Sequence, residues 1–348
     1  MSNNSSQIGI TLSALHRRPT MKDVAEAAGV ALKTVSRVVN GETTVAPDTL
    51  ERVQEAIRRL GYRRNEGARE LRQGRTQAIG LVVRDIADPF FAAIGRAVEH
   101  RAEEDELVVM IGSSHDDPAR ERQVALGFTA RRPNGLILAP IAKRQDYLLP
   151  DIAEGLAICA VDRPAQGIAC DAVLSDNAAG IRLAVEHLLH HGHRRIGYLG
   201  DDPAVFTARE RVAGFRATMA GHDVPVNEHE VRLGSPGPDF VAAALRTMFD
   251  PSDPVTALVT GNNRITAEVL KHLAGRPEQP AVVAFDDLEL AELLRPGLTV
   301  IAQDPVAIGD AAMDLLAKRL ADPTREPREL RIPVRLIPRG SGEEPPTN

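Results

Sequence analysis

The stretch "GVALKTVSRVVNG", Gly29 to Gly41, reads as a short helix entered from a tight turn. Val35 and Val38 supply its apolar face. Leu32 and Lys33 sit on its first turn, and Arg37 lies on a neighbouring face. Helices of this kind usually begin with Ser or Thr, whose side chain accepts from the free N–H groups, but the cap position here is Ala31. Working outward, "TMKDVAEAAGV" begins at Thr20 with Asp23 three residues on, a capping-box pattern, and Val24, Ala27 and Ala28 form an apolar stripe. On the other side, "APDTLERVQEAIRRLGY" has Pro47 near its start, Leu50, Val53, Ile57 and Leu60 at helical spacing, and Gly61 to close it. Residues 20–62 therefore read as three short helices.

The chain has 348 residues, room for two or three domains. Its net charge of −6 hides an asymmetry: residues 17–75 hold 13 Lys/Arg and 8 Asp/Glu, a net of +5, against −11 for the rest. A basic module on an acidic body suits a polyanion at the first part only, unless the asymmetry is chance surface charge. Trp is absent and aromatics are 3%, so aliphatic side chains must fill the core. Cys159 and Cys170 give neither a disulfide framework nor metal-ligand spacing, which fits a reducing cytoplasm. No apolar run reaches the roughly 18 residues of a membrane helix. Residues 1–18 look like a polar, disordered tail without the apolar stretch of a secretory signal.

Residues 63–77, "RRNEGARELRQGRTQ", are polar and basic with a small Ala/Leu stripe, a segment too short to be a stable helix alone. From residue 78 the period changes. "AIGLVV", "ELVVMIG", "GLILAP", "AICAVD", "AVLSD", "RIGYLG", "ALVTG", "AVVAF" and "LTVIAQ" are short apolar runs, and helical segments lie between most of them. Such alternation means parallel α/β sheets covered on both faces. About nine strands exceed one Rossmann-like unit, so two subdomains are expected. The tail "GSGEEPPTN" is expected to be disordered.

The segments "MKDVAEAAGV", "KTVSRVVNG", "RVQEAIRRLGYRRN", "ARELRQGRT", "DIADPFFAAI", "GHRRIGYLG", "RERVAGF", "VVAFDD" and "LRPGLTVIAQD", in this order, resemble the lactose-repressor (LacI–GalR) family of bacterial transcription regulators. The resemblance runs from about Pro19 to Gly340. It implies an α/β chain with a three-helix helix-turn-helix headpiece over 19–64, a hinge helix over 65–77 and a periplasmic-binding-protein-like core over 78–340. The core's N-subdomain would span about 78–174 plus 304–322, and its C-subdomain about 175–303 plus 323–340, with a disordered tail at 341–348. It further implies a homodimer on a pseudo-palindromic double-stranded operator, controlled by a small effector, a sugar or related polyol, without cofactor, metal or membrane. "EEPPTN" has no heptads, so a dimer is expected rather than a tetramer.

By this resemblance the second headpiece helix enters the major groove. Leu32, Lys33 and Arg37 match base-reading positions, and Thr34, Ser36 and Asn40 suit phosphates. The alternatives are a core role for Leu32 and an ordinary solvated or ion-paired role for Arg37. In the hinge, Leu71 matches a leucine that wedges into the minor groove, with Ala68 and Arg69 on the adjoining turn. It could instead pack two hinge helices together. The effector contacts implied are Arg211, Asn262 and Asp286 most firmly, then Asp162, Phe90 and Phe91, all near strand ends where ligands of open α/β sheets bind. Phe91 reads equally as core, Arg211 as a structural ion pair, and Asp287 as a cap for a following helix "LELAELLRPG". Asn262–Asn263 departs from the family's frequent Asn-Asp, and Val205–Phe206 give an apolar entry. The cluster His187, His190, His191 and His193 allows a metal reading, but basic groups at a helix end closed by Gly192 explain it better.

A solute-binding protein for a sugar transporter fits the core alone, while the basic headpiece and missing signal peptide argue against it. An enzyme would need a phosphate loop, a GxSxG elbow or a Cys–His signature, and none stands out.

Overall fold

The Asp23 carboxylate accepts from the Thr20 backbone N–H at 2.6 Å, and the Thr20 hydroxyl accepts in return from the Asp23 amide at 3.4 Å. This reciprocal cap starts α1 (Met21–Ala28), and Gly29, at φ +65°, ends it in the left-handed conformation that glycine adopts without strain. Next come α2 (Leu32–Val39) and α3 (Pro47–Leu60). Val24, Val35 and Val53 are sealed between the three helices, with Ala28, Ala56 and Tyr62 around them. The computed structural model describes residues 19–40, 42, 45–62, 76–250, 252–275 and 279–346. The chain divides into two compact units, Met1–Gly74 and Arg75–Asn348. The expected tail at 1–18 and the hinge residues Ala68, Arg69 and Leu71 lie outside the described residues.

The second unit contains two six-stranded sheets, one per lobe. Lobe one opens with β1 (Ala78–Val83), α4 (Pro89–Glu104), β2 (Val108–Ser113), α5 (Pro118–Thr129), β3 (Gly135–Leu138), α6 (Leu149–Ala153), β4 (Ala157–Val161) and β5 (Asp171–Ser175). Lobe two follows with α7 (Asn177–His190), β6 (Ile196–Gly200), α8 (Phe206–Gly221), β7 (Val231–Leu233), α9 (Pro238–Met248), β8 (Ala257–Thr260), α10 (Asn263–Leu273), β9 (Ala281–Phe285) and β10 (Thr299–Ala302). The chain then returns to lobe one as α11 (Pro305–Ala321) and β11 (Glu329–Ile332), and ends in lobe two with β12 (Arg335–Ile337). The strand orders are β11-β5-β4-β3-β1-β2 and β12-β10-β9-β8-β6-β7. Every pairing is parallel except β12 on β10. Central strands such as β1, β4 and β9 are buried along their whole length, so they read as continuous apolar runs. Helix α11 lies against α4 closely enough that a Cβ on Gly309 would come within 2.7 Å of the Ala97 Cβ.

Three expectations need correction. Residues 323–332 belong to lobe one, because β11 pairs with β5 in register Glu329↔Ala172 to Ile332↔Ser175. The fully buried Asp171 carboxylate holds this return. It accepts from Arg319 Nε and Nη2 and Arg325 Nη1, each at 3.1 Å, and from the Arg328 amide at 2.9 Å. Second, residues 341–346 are ordered on lobe two. Ser341 Oγ donates to the Val282 carbonyl at 2.6 Å, Glu343 meets His187 Nε2 at 2.6 Å, and His193 Nε2 meets the Glu344 carbonyl at 2.8 Å. Third, "LELAELLRPG" forms only a single 3₁₀ turn at Ala291–Leu293, which buries Ala291 and leaves Leu290 and Leu293 exposed.

Removing the Asp171 carboxylate takes the acceptor from four donors, on Arg319, Arg325 and Arg328. Asp171→Ala is therefore expected to cost the second unit about 3–5 kcal/mol in urea unfolding.

Candidate nucleic-acid interface and interlobe cleft

Helix α2 is entered from Ala31, at φ −66° and ψ 147°, with no side chain bonding its first turn. Its leading amides are left to meet solvent or an anion. Val35 turns into the headpiece core, while Leu32 stays 44% exposed, so the core reading of Leu32 does not hold. Lys33, Arg37 and Asn40 are exposed, and Thr34 and Ser36 are half-buried. Arg37 Nε lies 3.6 Å from Glu42 with both side chains near half exposed, a pairing too weak to hold the guanidinium back. One face of an eight-residue helix thus offers an apolar tip, two cations and three small polar groups.

In the second unit, the residues that follow the strands of both lobes surround a cavity of about 810 Å³. Phe90, Phe91, Asp162, Arg211, Asn262 and Asp286 all line it. Phe90 and Phe91 meet edge-on at 5.1 Å. Phe91 also packs into the lobe-one core, as its core reading expects. Asp162 follows β4 and Asp286 follows β9, at φ +68° and +79°. This left-handed turn is open to aspartate and strained for most residues, and it marks the corresponding place in each lobe.

Arg211 is nearly sealed. Its Nε donates to Asn177 Oδ1 at 2.7 Å, its Nη1 donates to the Gly261 carbonyl at 2.6 Å, and its Cζ lies 3.7 Å above the Phe285 ring. Among the described residues no carboxylate reaches it within ion-pair distance, so the structural ion pair is not what forms. Two backbone and side-chain acceptors and a cation–π contact fix the guanidinium plane instead. The Asp286 carboxylate accepts from Gln303 Nε2 at 2.5 Å and from the Asn263 amide at 3.1 Å, and burial raises its pKa against the pull of Arg211. Asn262 has both ends engaged: Oδ1 caps α10 by accepting from the Ile265 amide at 2.9 Å, and Nδ2 donates to Asp201 at 3.1 Å. Asp287 is bound by Arg339 Nη1 and Nη2 at 2.7 and 2.8 Å rather than capping a helix. The histidine cluster serves packing and the C-terminal segment, and no metal-holding group exists among the described residues.

Sequence reasoning missed Arg84, Asn177, Asp201 and Gln303. Arg84 pairs with Asp88 and lies 3.5 Å from Asp116, and Gln303 joins Asp286 to Ser175. Asp201 directly follows β6, the same kind of strand end that singled out Asp162 and Asp286, so that signal was present.

Burial raises the Asp201 pKa above the usual aspartate value, opposed by the Asp202 amide and by Arg264 and Arg84. The folded state therefore holds this proton more tightly than the unfolded chain. Stability falls as pH rises from the ordinary aspartate value through the raised one. Asp201→Asn is expected to flatten that part of the slope in urea unfolding followed from acid to neutral pH.

Residues 20–65 match the family of bacterial regulatory proteins of the lacI type, and residues 185–342 match a periplasmic binding protein-like domain. The transcriptional regulator PtxS of Pseudomonas plecoglossicida is 34% identical over 340 residues, covering 95% of this chain and 98% of that one. The lac repressor dimer bound to operator and the anti-inducer ONPF superposes with a TM-score of 0.82 at 25% identity, covering 94% of this chain and 99% of that one. A complex of the regulator CelR with cellobiose gives 0.67 at 30% identity, covering 93% and 100%. Headpiece, two-lobed core and identity along nearly the whole length agree, and the chain belongs to the lacI family of bacterial transcriptional regulators.

Proposed function

We propose that this regulator is a cytoplasmic repressor that binds a pseudo-palindromic operator as a homodimer and answers to a neutral sugar or related polyol in the interlobe cleft. The observation that carries the effector reading is the cavity wall. It holds six basic and six acidic side chains, half of them paired with one another, beside the rings of Phe90 and Phe206. A wall of balanced charge with aromatic faces suits a ligand that offers hydroxyls on its edge and C–H groups on its face. Asp162, Asp286 and Asp201 would accept from hydroxyls, and Arg211 Nη2, which has no hydrogen-bond partner among the described residues, would donate to a ring or hydroxyl oxygen. Asn262 would act chiefly by holding Asp201. The relative solved with cellobiose supports a sugar class, and the lac repressor dimer supports two headpieces on one operator.

On the DNA, Arg37 and Lys33 would read guanine edges and Leu32 a thymine methyl. Thr34, Ser36 and Asn40 would fix the helix on phosphates. Ala68 and Leu71 of the hinge would meet the minor groove.

A thermal-shift screen of neutral sugars against the full chain tests the effector reading. A true effector at 100 times its dissociation constant adds about 2.7 kcal/mol of stability, and Arg211→Gln abolishes the shift. No shift with any sugar, or an equal shift in Arg211→Gln, refutes it. Gel shifts on DNA upstream of its own gene test the operator reading. Arg37→Ala is expected to cost about 1–3 kcal/mol and relax base preference at one position per half-site. Ala31→Ser supplies the missing cap and stabilises the headpiece by about 1 kcal/mol. It should strengthen binding to all sequences alike, since the open amides face phosphate rather than bases.

A further inference from the structure

The two lobes touch directly at the rim of the cleft. On lobe one, Asp88 follows β1 and caps α4 by accepting from the Phe90 amide at 3.1 Å. Arg84 pairs with the other oxygen of Asp88 and also approaches Asp116. On lobe two, the first turn of α10 presents Asn263 and Arg264. Asn263 Nδ2 donates to Asp88 Oδ1 at 2.8 Å, and Arg264 Nη1 lies 3.3 Å from Asp116 Oδ2. The Asn263 backbone amide meanwhile donates to Asp286. These same residues line the 810 Å³ cavity on one side and a second recess of about 530 Å³ on the other, so the contact is a wall between two spaces.

The residue type at 263 decides the sign of this contact. The charged and titratable groups around it are Arg84, Asp85, Asp88, His115 and Asp116 from lobe one, and Asp201, Arg211, Arg264 and Asp286 from lobe two. Asp162 stands further along the same wall. Arg84 and Arg264 are already engaged with Asp88 and Asp116. A carboxylate at 263 would face Asp88 with no proton to donate and Asp286 behind it. An amide of the same shape donates. The guanidinium of Arg264 alone does not substitute, because it points to Asp116, half exposed and screened.

We propose that Asn263 is an amide latch that holds the lobes closed through Asp88, independently of any effector, and that an aspartate at this position would turn the latch into a pH-dependent opener. The inference concerns closure alone and does not depend on which sugar binds.

The test is the distance between nitroxide labels at Lys143→Cys and Ser235→Cys, one on each lobe at the mouth of the cleft, in full-length protein with Cys159 and Cys170 replaced by Ala and no sugar added. Without further change, one short distance is expected from pH 5 to pH 8. Asn263→Asp is expected to shift the closed-to-open ratio by about tenfold toward open at pH 8, and to regain the short distance at pH 5 as the two facing carboxyls share a proton. Asn263→Ala should open the lobes less, and equally at both pH values. An unchanged distance in Asn263→Asp at pH 8, or a lengthening indifferent to pH, overturns the proposal. Should Asn263→Asp fail to fold by thermal melting, Asn263→Ala decides, and a closed distance there overturns the latch.

Discussion

A parallel sheet places the carboxyl ends of its strands on one edge, and the loops that leave those ends carry whatever side chains can converge there. In this core the chain makes two such sheets and crosses between them three times, after β5, after β10 and between β11 and β12. The crossings bring the two carboxyl edges around one cavity. Arg84 and Asp88 after β1, Asp162 after β4, Asp201 after β6, Asn262 after β8 and Asp286 after β9 then meet although they are scattered over two hundred residues. The cleft is a consequence of strand direction, and the individual side chains only decorate it.

That arrangement collects charge where water is scarce, and the structure answers by pairing it. Asp162 lies against Arg163 and Asp88 against Arg84, while Asp201 and Asp286 are held by amides rather than by cations. Burial raises the pKa of the last two, against the pull of Arg264 and Arg84 on Asp201 and of Arg211 on Asp286. Arg211 is the complement, a cation fixed by neutral acceptors and the Phe285 ring.

The parts of this design visible in the sequence are those with local causes. The Thr20–Asp23 cap, the glycines closing α1 and α3, and eight buried strands each leave a signature in a few adjacent residues. All six expected cleft residues line the cavity: Asp162, Asn262 and Asp286 stand at strand ends marked by the apolar run before them, while Phe90, Phe91 and Arg211 stand on helices that follow strands. What stayed hidden depends on partners far along the chain. The segment carrying β11 and β12, "ELRIPVRLI", has a strand-like alternation of charged and apolar residues, but it lies on exposed sheet edges, and its place beside β5 depends on Asp171 far along the chain. The C-terminal segment looked disordered because Glu343 finds His187 and Thr299 across the fold. The latch was half legible: the departure at Asn263 was visible as a lost carboxylate, but not the Asp88 waiting opposite it.

Two paths of polar contacts tie the floor of the cleft to the crossings themselves. Asp286 accepts from Gln303, which sits in the second crossing, and Gln303 in turn meets Ser175 at the first. At the third, Arg331 of β11 reaches Glu210 of α8 at 2.8 Å, and Glu210 accepts from Asn177, the residue that holds Arg211. A ligand that engages Asp286 or Arg211 therefore competes with, or reinforces, bonds made by the segments about which the lobes turn. A ligand shifts a conformational equilibrium only by the difference in its affinity for the two states. In this molecule that difference would arise at Gln303 and Asn177, one bond away from the groups a ligand would touch, while the Asn263 contact at the opposite rim sets how far the equilibrium already leans toward closure.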